Sequence, residues 1–415
     1  MSKFEVISMG CRLNLAESNA LAAQLGEASD LVVINSCAVT NEAVRQTRQA
    51  VRQARKRRPD ARIIVTGCAA QVDPESFAAM PEVDTVLGNA EKQRPDLFLE
   101  RQRNSDILVS DIMALEQTAP HMVTAFSGKT RAFVEIQNGC DHRCTFCIIP
   151  YGRGNSRSVP AGGVVEHVKK LVDKGFQEVV LTGVDVTSYG ADLPGKPNLG
   201  HLVERIIKLV PDLPRLRLSS IDGVEIDERL FELITDEPRV MPHVHLSLQS
   251  GDNMILKRMK RRHSRELAIE LVQRMHAKRR EIAIGADIIA GFPTESDAMF
   301  ESSVDLVRQC RIVHGHIFPY SPKHGTPAAL MPQLPAASIK ARSKLLREAV
   351  AREHNGWATS LIGSIQKIAV EMGGMGGHAE NFAYVRLDRK MPEGAIVSAR
   401  VNAVKDGKLQ AEIIA

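Results

Sequence analysis

The chain of 415 residues carries 44% hydrophobic and 25% charged residues with a net charge of +5, enough apolar material for two or three domains with their own cores. No apolar run is long enough to span a bilayer, and the start, MSKFEVISMG, lacks a charged leader ahead of an apolar stretch, so a cytoplasmic protein without membrane attachment is expected. In that reducing compartment the seven cysteines are not disulfide partners, and an odd count fits two sets of three ligands plus one bystander, Cys310 in the helical pattern VDLVRQCRIV.

Up to about residue 98, Phe4 to Met9, Leu31 to Asn35 and Ile63 to Thr66 read as strands, with helices from Leu15 to Leu25 and Thr40 to Arg58 between them. That alternation predicts an open parallel α/β sheet. Cys11, Cys37 and Cys68 each follow the C-terminal end of one of these strands, and parallel strands carry those ends on one edge. Three cysteines distant in sequence therefore converge, which predicts a ligand set; the competing reading is three small residues in tight strand-to-helix turns. The second helix spaces Arg45, Arg48, Arg52 and Arg55 by threes and fours into one stripe, either a phosphate-tracking RNA surface or a solvated basic face. Residues 101 to 130 read as an irregular connection with one short strand, Ile107 to Ser110.

Next comes GCDHRCTFCIIP, Gly139 to Pro150, with Cys140, Cys144 and Cys147 at C-x3-C-x2-C spacing. A structural zinc site takes four ligands, usually from two separated knuckles, whereas a cubane iron-sulfur cluster held by three thiolates leaves one iron open. His142 is expected to point away from the sulfurs. A degenerate zinc loop and three unrelated buried cysteines are the plain alternatives.

Candidate strands Ala132 to Gln137, Glu178 to Thr182, Arg215 to Ser219, His243 to Leu248, Ile282 to Ile289 and His316 to Tyr320 alternate with helical patterns, which predicts a full or partial barrel. Period two splits them: Val244, Leu246 and Leu248 oppose His243, His245, Ser247 and Gln249; Leu216 and Leu218 oppose Arg215, Arg217 and Ser219; Val134 and Ile136 oppose Glu135 and Gln137. Polar inner faces predict a wide, wet interior holding a large polar ligand. LTGVD and GADIIAGFPTE end strands with small residues and acids that let a cofactor approach the backbone, so Gly183, Asp185, Ser219, Ser247, Gln249 and Asp287 are the candidate cofactor-binding residues. KRMKRRHSRE, from Lys257, is a second basic run. After a helical segment from Ala337 to about Trp357, Ile365 to Glu371, Phe382 to Leu387, Ile396 to Val404 and Leu409 to Ile414 predict a small antiparallel barrel of a size that commonly binds RNA.

GCRLN, NSC, TGC, GCDHRCTFC, SLQSG and AGFPTE together resemble the radical S-adenosylmethionine (SAM) methylthiotransferases over nearly the whole chain. The resemblance implies an N-terminal cluster domain over residues 1–100, a connection over 101–130, a radical SAM partial (β/α) barrel over 131–358 and a TRAM-like RNA-binding module over 361–415. It implies two 4Fe-4S clusters, one on Cys140, Cys144 and Cys147 that binds SAM and an auxiliary one on Cys11, Cys37 and Cys68, with Phe146 at the aromatic position beside the SAM adenine. One SAM would methylate sulfur at the auxiliary cluster and another would be cleaved reductively to the radical that attacks the substrate carbon, with tRNA, a reducing electron-transfer protein and a sulfur source as partners. NSCAVTNEAVRQTRQAVR and VTGCAAQ look most like the branch that adds a methylthio group to carbon 2 of threonylcarbamoyladenosine beside the anticodon; a sister branch acts on isopentenyladenosine and another on a ribosomal protein. Lys323 stands in SPKHGTPA where this family often carries arginine, and the C-terminal module is short. Composition also leaves open a non-catalytic, zinc-bearing RNA-binding protein.

Overall fold

The computed structural model describes residues 4–26, 30–99, 106–115 and 130–414, so most of the expected connection lies outside the described residues. Strands β1 (Phe4–Ser8), β2 (Leu31–Ser36), β3 (Arg62–Gly67), β4 (Thr85–Leu87) and β5 (Asp106–Leu108) pair in parallel, in that order. The strand expected within the connection is therefore the fifth strand of the first sheet. Period two sorts β2 onto two cores: Val32 and Ile34 pack with Val51 and Ala54 of the helix Asn41–Arg57, while Leu31 and Val33 pack with Leu21 and Leu25 of the helix Arg12–Leu25. Both faces are covered, as a parallel sheet requires.

The central body divides its strands between two parallel sheets. After β6 (Arg131–Glu135) and a short hairpin of β7 (Gln137–Asn138) with β8 (Arg157–Ser158) come β9 (Glu178–Thr182) and β10 (Arg215–Leu218), ordered β10-β9-β6. A second sheet holds β11 (Ser220–Ile221), β12 (His243–Gln249), β13 (Ala283–Ala290) and β14 (Ile312–Pro319) in sequence order. The chain crosses from one sheet to the other at Ser219, and one continuous apolar core behind both includes Val134, Leu216, Leu218, Val244, Leu246 and Leu248. Cys310 is fully buried in that core.

The helix Ala336–Ser360 leads into a closed barrel of β15 (Ile365–Val370), β16 (Gly376–Ala379), β17 (Tyr384–Leu387), β18 (Ile396–Lys405) and β19 (Lys408–Ile413). It is not wholly antiparallel, because β17 pairs with β19 in parallel. Strand β16, GGHA, lacks the branched residues that mark strands; Gly377 is needed there because a Cβ would strike the Ala369 carbonyl of β15. Among the described residues no helix is long and apolar enough to cross a membrane.

This small barrel stoppers the central body at the strands' N-terminal ends, which corrects the expectation of a wet interior along the whole polar face. Buried Glu178 receives Arg131 at 2.6 Å and Arg217 at 2.9 Å, with Arg215 3.8 Å away. Over this cluster Phe382, in the left-handed region at φ 69°, lies 4.9 Å from Arg217 and 5.5 Å from both Arg131 and Arg12, and stacks on His243 at 4.7 Å. Arg215 donates to the Lys367 carbonyl at 3.0 Å and Arg217 to the Glu380 carbonyl at 3.1 Å. Polar residues read as ligand-facing thus serve packing between modules, and only the C-terminal half of the face is left for a ligand.

Two histidines of this floor give a stability prediction. Burial, then the nearby Arg217, His314, His245 and Arg12, hold His243 well below its ordinary value, and burial beside His354 lowers His314 to about 3. Both are neutral in the fold, so below pH about 6.5 the unfolded chain takes up protons that the folded chain refuses. Thermal melts are expected to decline as pH falls from 7 to 5, by up to about 2 kcal/mol per ring. A His243→Asn, His314→Asn chain should flatten that decline; an unchanged slope contradicts the assignment.

Candidate functional site

The first sheet gathers its three cysteines as the topology requires. Cys11 precedes the helix Arg12–Leu25, Cys37 follows β2, and Cys68 opens the helix Cys68–Val72. Gly10 adopts φ 84°, and a Cβ on it would collide with the Cys37 sulfur, so glycine is what lets the first turn approach the second. Burial pushes the Cys37 thiol up to about 11, with Cys68 and Cys11 adding to the rise. Cys11 keeps exposed surface although surrounding protein also raises its thiol, the combination of a residue lining a recess.

The second set is local. The Cys147 amide donates to the Cys144 carbonyl and the Cys140 amide to the Gly154 carbonyl, each at 3.0 Å, folding the loop over itself. Burial raises Cys147 to about 12 and, together with Asp185, raises Cys140; the Cys140 sulfur lies 3.5 Å from Asp185 Oδ2. His142 turns from the sulfurs to carboxylates, 3.0 Å from Asp185 and 3.6 Å from Glu225, whose hydrogen bonds raise it to about 10. Three soft thiolates in a set suit an iron-sulfur cluster, and a cation stands beside a sulfur of each set, Arg261 at 3.8 Å from Cys144 and Arg153 at 3.1 Å from Cys68.

The two sets meet through the helix Ile149–Arg153, which follows Cys147 directly and packs on the helix opened by Cys68. Arg153 Nε lies 3.1 Å from the Cys68 sulfur, and its remaining nitrogens hold Glu17 and Asn14. Lys92 joins Glu17 at 2.7 Å, and Asn89 approaches Cys68 at 3.9 Å. Sequence reading missed Arg153, Glu17 and Lys92, because isolated charges in helical stretches look like solvated surface.

The expected cofactor-binding residues occupy the open half of the central body. Gly183 passes so close to β7 that a Cβ would stand 2.6 Å from the Gln137 carbonyl, and Gln137 Oε1 accepts from the Asp185 amide at 2.8 Å. Ser247 meets Ser220 at 3.0 Å, and Ser220 reaches Asp287 at 3.4 Å. Although burial opposes it, His245 at 3.0 Å and His316 at 3.2 Å hold Asp287 well below the usual carboxylate range. Ser219 sits at the crossing between sheets, its amide bonded to the Leu181 carbonyl, and Gln249 takes φ 65° at the irregular register of β12 with β13. Phe146 joins a separate apolar cluster, edge-on to Phe292 at 6.4 Å.

The basic stretches carry less free charge than the sequence suggests. Arg45, Arg48, Arg52 and Arg55 pair with Glu42, Asp73, Glu82 and Asp84 within 4.0 Å. In the second run, Arg261 holds Asp222 at 2.8 Å and approaches the Cys144 sulfur at 3.8 Å, while Arg262 holds Glu225 at 2.7 Å. Glu42 is local to Arg45, but acids far away in sequence supply the other partners, so no local signal announced those. Lys323 is buried and donates to Asn41 at 3.0 Å, tying the SPKHGTPA loop to the first sheet; burial lowers it to about 8.

The family described as the Radical SAM superfamily matches residues 134–307, and the Uncharacterized protein family UPF0004 matches residues 3–88. A curated relative named threonylcarbamoyladenosine tRNA methylthiotransferase MtaB, from Rickettsia prowazekii, is 48% identical over 99% of this chain and 97% of its own. A tRNA-2-methylthio-N(6)-dimethylallyladenosine synthase from Cereibacter sphaeroides is 32% identical over 99% and 98%. Among solved structures, the radical SAM methyltransferase TsrM from Kitasatospora setae, with cobalamin and a [4Fe-4S] cluster bound, superposes with a TM-score of 0.56 at 16% identity, covering 80% of this chain and 77% of that one; this likeness bears on the fold alone. The 48% identity over 99% of the chain, with both family matches, shows that the chain belongs to the tRNA-modifying radical SAM methylthiotransferases.

Proposed function

We propose that this enzyme transfers a methylthio group to carbon 2 of the adenine ring of threonylcarbamoyladenosine in tRNA. The observation that carries the choice of base is the 48% identity with the relative of that name, against 32% with the dimethylallyladenosine synthase. When bound, SAM and the iron-sulfur centres supply the reductive cleavage and the sulfur transfer. This chain's residues supply the rest. Cys140, Cys144 and Cys147 hold the SAM-binding cluster, and Cys11, Cys37 and Cys68 hold a second one. Gly183, Asp185, Ser219, Ser247, Gln249 and Asp287 line the space for SAM, with Phe146 toward its adenine. The C-terminal barrel binds RNA, with the Arg45–Arg55 stripe contributing only where its ion pairs open. A reducing protein and a sulfur source complete the reaction.

Nucleoside mass spectrometry of total tRNA from a deletion strain and its parent tests this. The 2-methylthio form of threonylcarbamoyladenosine should vanish while its precursor persists. Loss of the methylthio group from the isopentenyl nucleoside instead moves the enzyme to the sister branch, and no change in either rejects both assignments.

A further inference from the structure

Arg153 belongs to the central body, yet all of its side-chain contacts described above lie in the N-terminal one. It is 2% exposed; Nε points at the Cys68 sulfur from 3.1 Å, and Nη2 lies 3.0 Å from Glu17 Oε2 and 2.5 Å from Asn14 Oδ1. Lys92, equally buried, uses the same Glu17 oxygen at 2.7 Å. Burial, with Arg153 beside it, lowers Lys92, whereas Arg153 keeps its charge and turns Nε toward Cys68. A buried charge needs a counter-charge. The Cys68 sulfur, 3.1 Å from Nε, is the atom that supplies one when it binds iron as the thiolate. Three thiolates around a doubly positive cubane outweigh it by one negative charge, which a guanidinium beside Cys68 offsets.

We propose that Arg153 is a positioning residue for the N-terminal centre: its N–H···S bond fixes Cys68, and its charge raises the reduction potential of the cluster held there. The inference rests on the reading of Cys11, Cys37 and Cys68 as a second cluster site. A nearby cation and a donor to sulfur both favour the reduced, more negative cluster, so removing them lowers the potential. No other module contact brings a side chain from beside one cysteine set to a sulfur of the other at such a distance among the contacts described above.

The test uses the full chain with Cys140, Cys144 and Cys147 all replaced by alanine, reconstituted with iron and sulfide, and redox-titrated by electron paramagnetic resonance. At the potential where this parent is half reduced, Arg153→Gln should lower the ratio of reduced to oxidised cluster at least tenfold, a midpoint shift of about 59 mV for one electron. Arg153→Lys keeps the charge but not the fork, and should shift in the same direction by less. If the glutamine variant takes up no iron, the lysine variant carries the test. Midpoints equal to the parent at equal iron content overturn this inference alone; a parent without iron or sulfide overturns the second cluster and this inference with it.

Discussion

A Cys144→Ala chain is expected to release no deoxyadenosine or methionine from SAM above background, while keeping about half of its iron and labile sulfide. Removing one of three thiolates leaves a cluster with two. His142, two residues before Cys144, is committed to Asp185 and Glu225, and Arg261, 3.8 Å from the Cys144 sulfur, is a cation that cannot ligate iron. Cys11→Ala, Cys37→Ala and Cys68→Ala should behave oppositely, cleaving SAM without methylthiolating tRNA. Product chromatography beside iron and sulfide analysis reads both halves. Cleavage that survives in Cys144→Ala would remove the C-x3-C-x2-C loop from the chemistry.

The second large effect is on stability. Glu178 is fully buried and is the shared carboxylate of Arg131, Arg215 and Arg217, which together hold it well below the ordinary carboxylate range although burial opposes this. Glu178→Gln keeps the shape but leaves these guanidinium groups facing one another and the ring of Phe382. Removing one partner of a buried ionic cluster costs about 3–5 kcal/mol, a large part of the whole stability of a domain. Chemical denaturation should show that loss as a lower midpoint. A change below about 0.5 kcal/mol would mean that water or backbone carbonyls carry the charge instead.

What sequence reading caught and missed follows from the range of each interaction. Cys140, Cys144 and Cys147 are local, and their spacing alone points to a cluster. Cys11, Cys37 and Cys68 are distant, yet parallel-sheet topology maps strand ends onto one edge, so they too were legible. The short strands Thr85–Leu87 and Gly376–Ala379 were not, the first for its length and the second for its glycines. Arg217 and His243 were correctly assigned to the polar face, but nothing in their own strands told that Phe382 would cover them. The ion pairs of the stripe from Arg45 to Arg55 were hidden for the same reason, since Asp73, Glu82 and Asp84 lie beyond the helix. Periodicity reports which way a side chain faces; the group it meets there is a property of the whole fold.

Phe382 has a bearing on how the chain is made. Arg12, Arg131 and Arg217 converge on its ring, but it leaves the ribosome roughly 370 residues after Arg12. Arg217 precedes Phe382 by 165 residues, on the order of ten seconds of synthesis, during which the guanidinium groups of that floor lack the ring that covers them. The floor of the central body is therefore covered only once the last barrel emerges and docks. Chaperone engagement and metal loading both have that window in which to act.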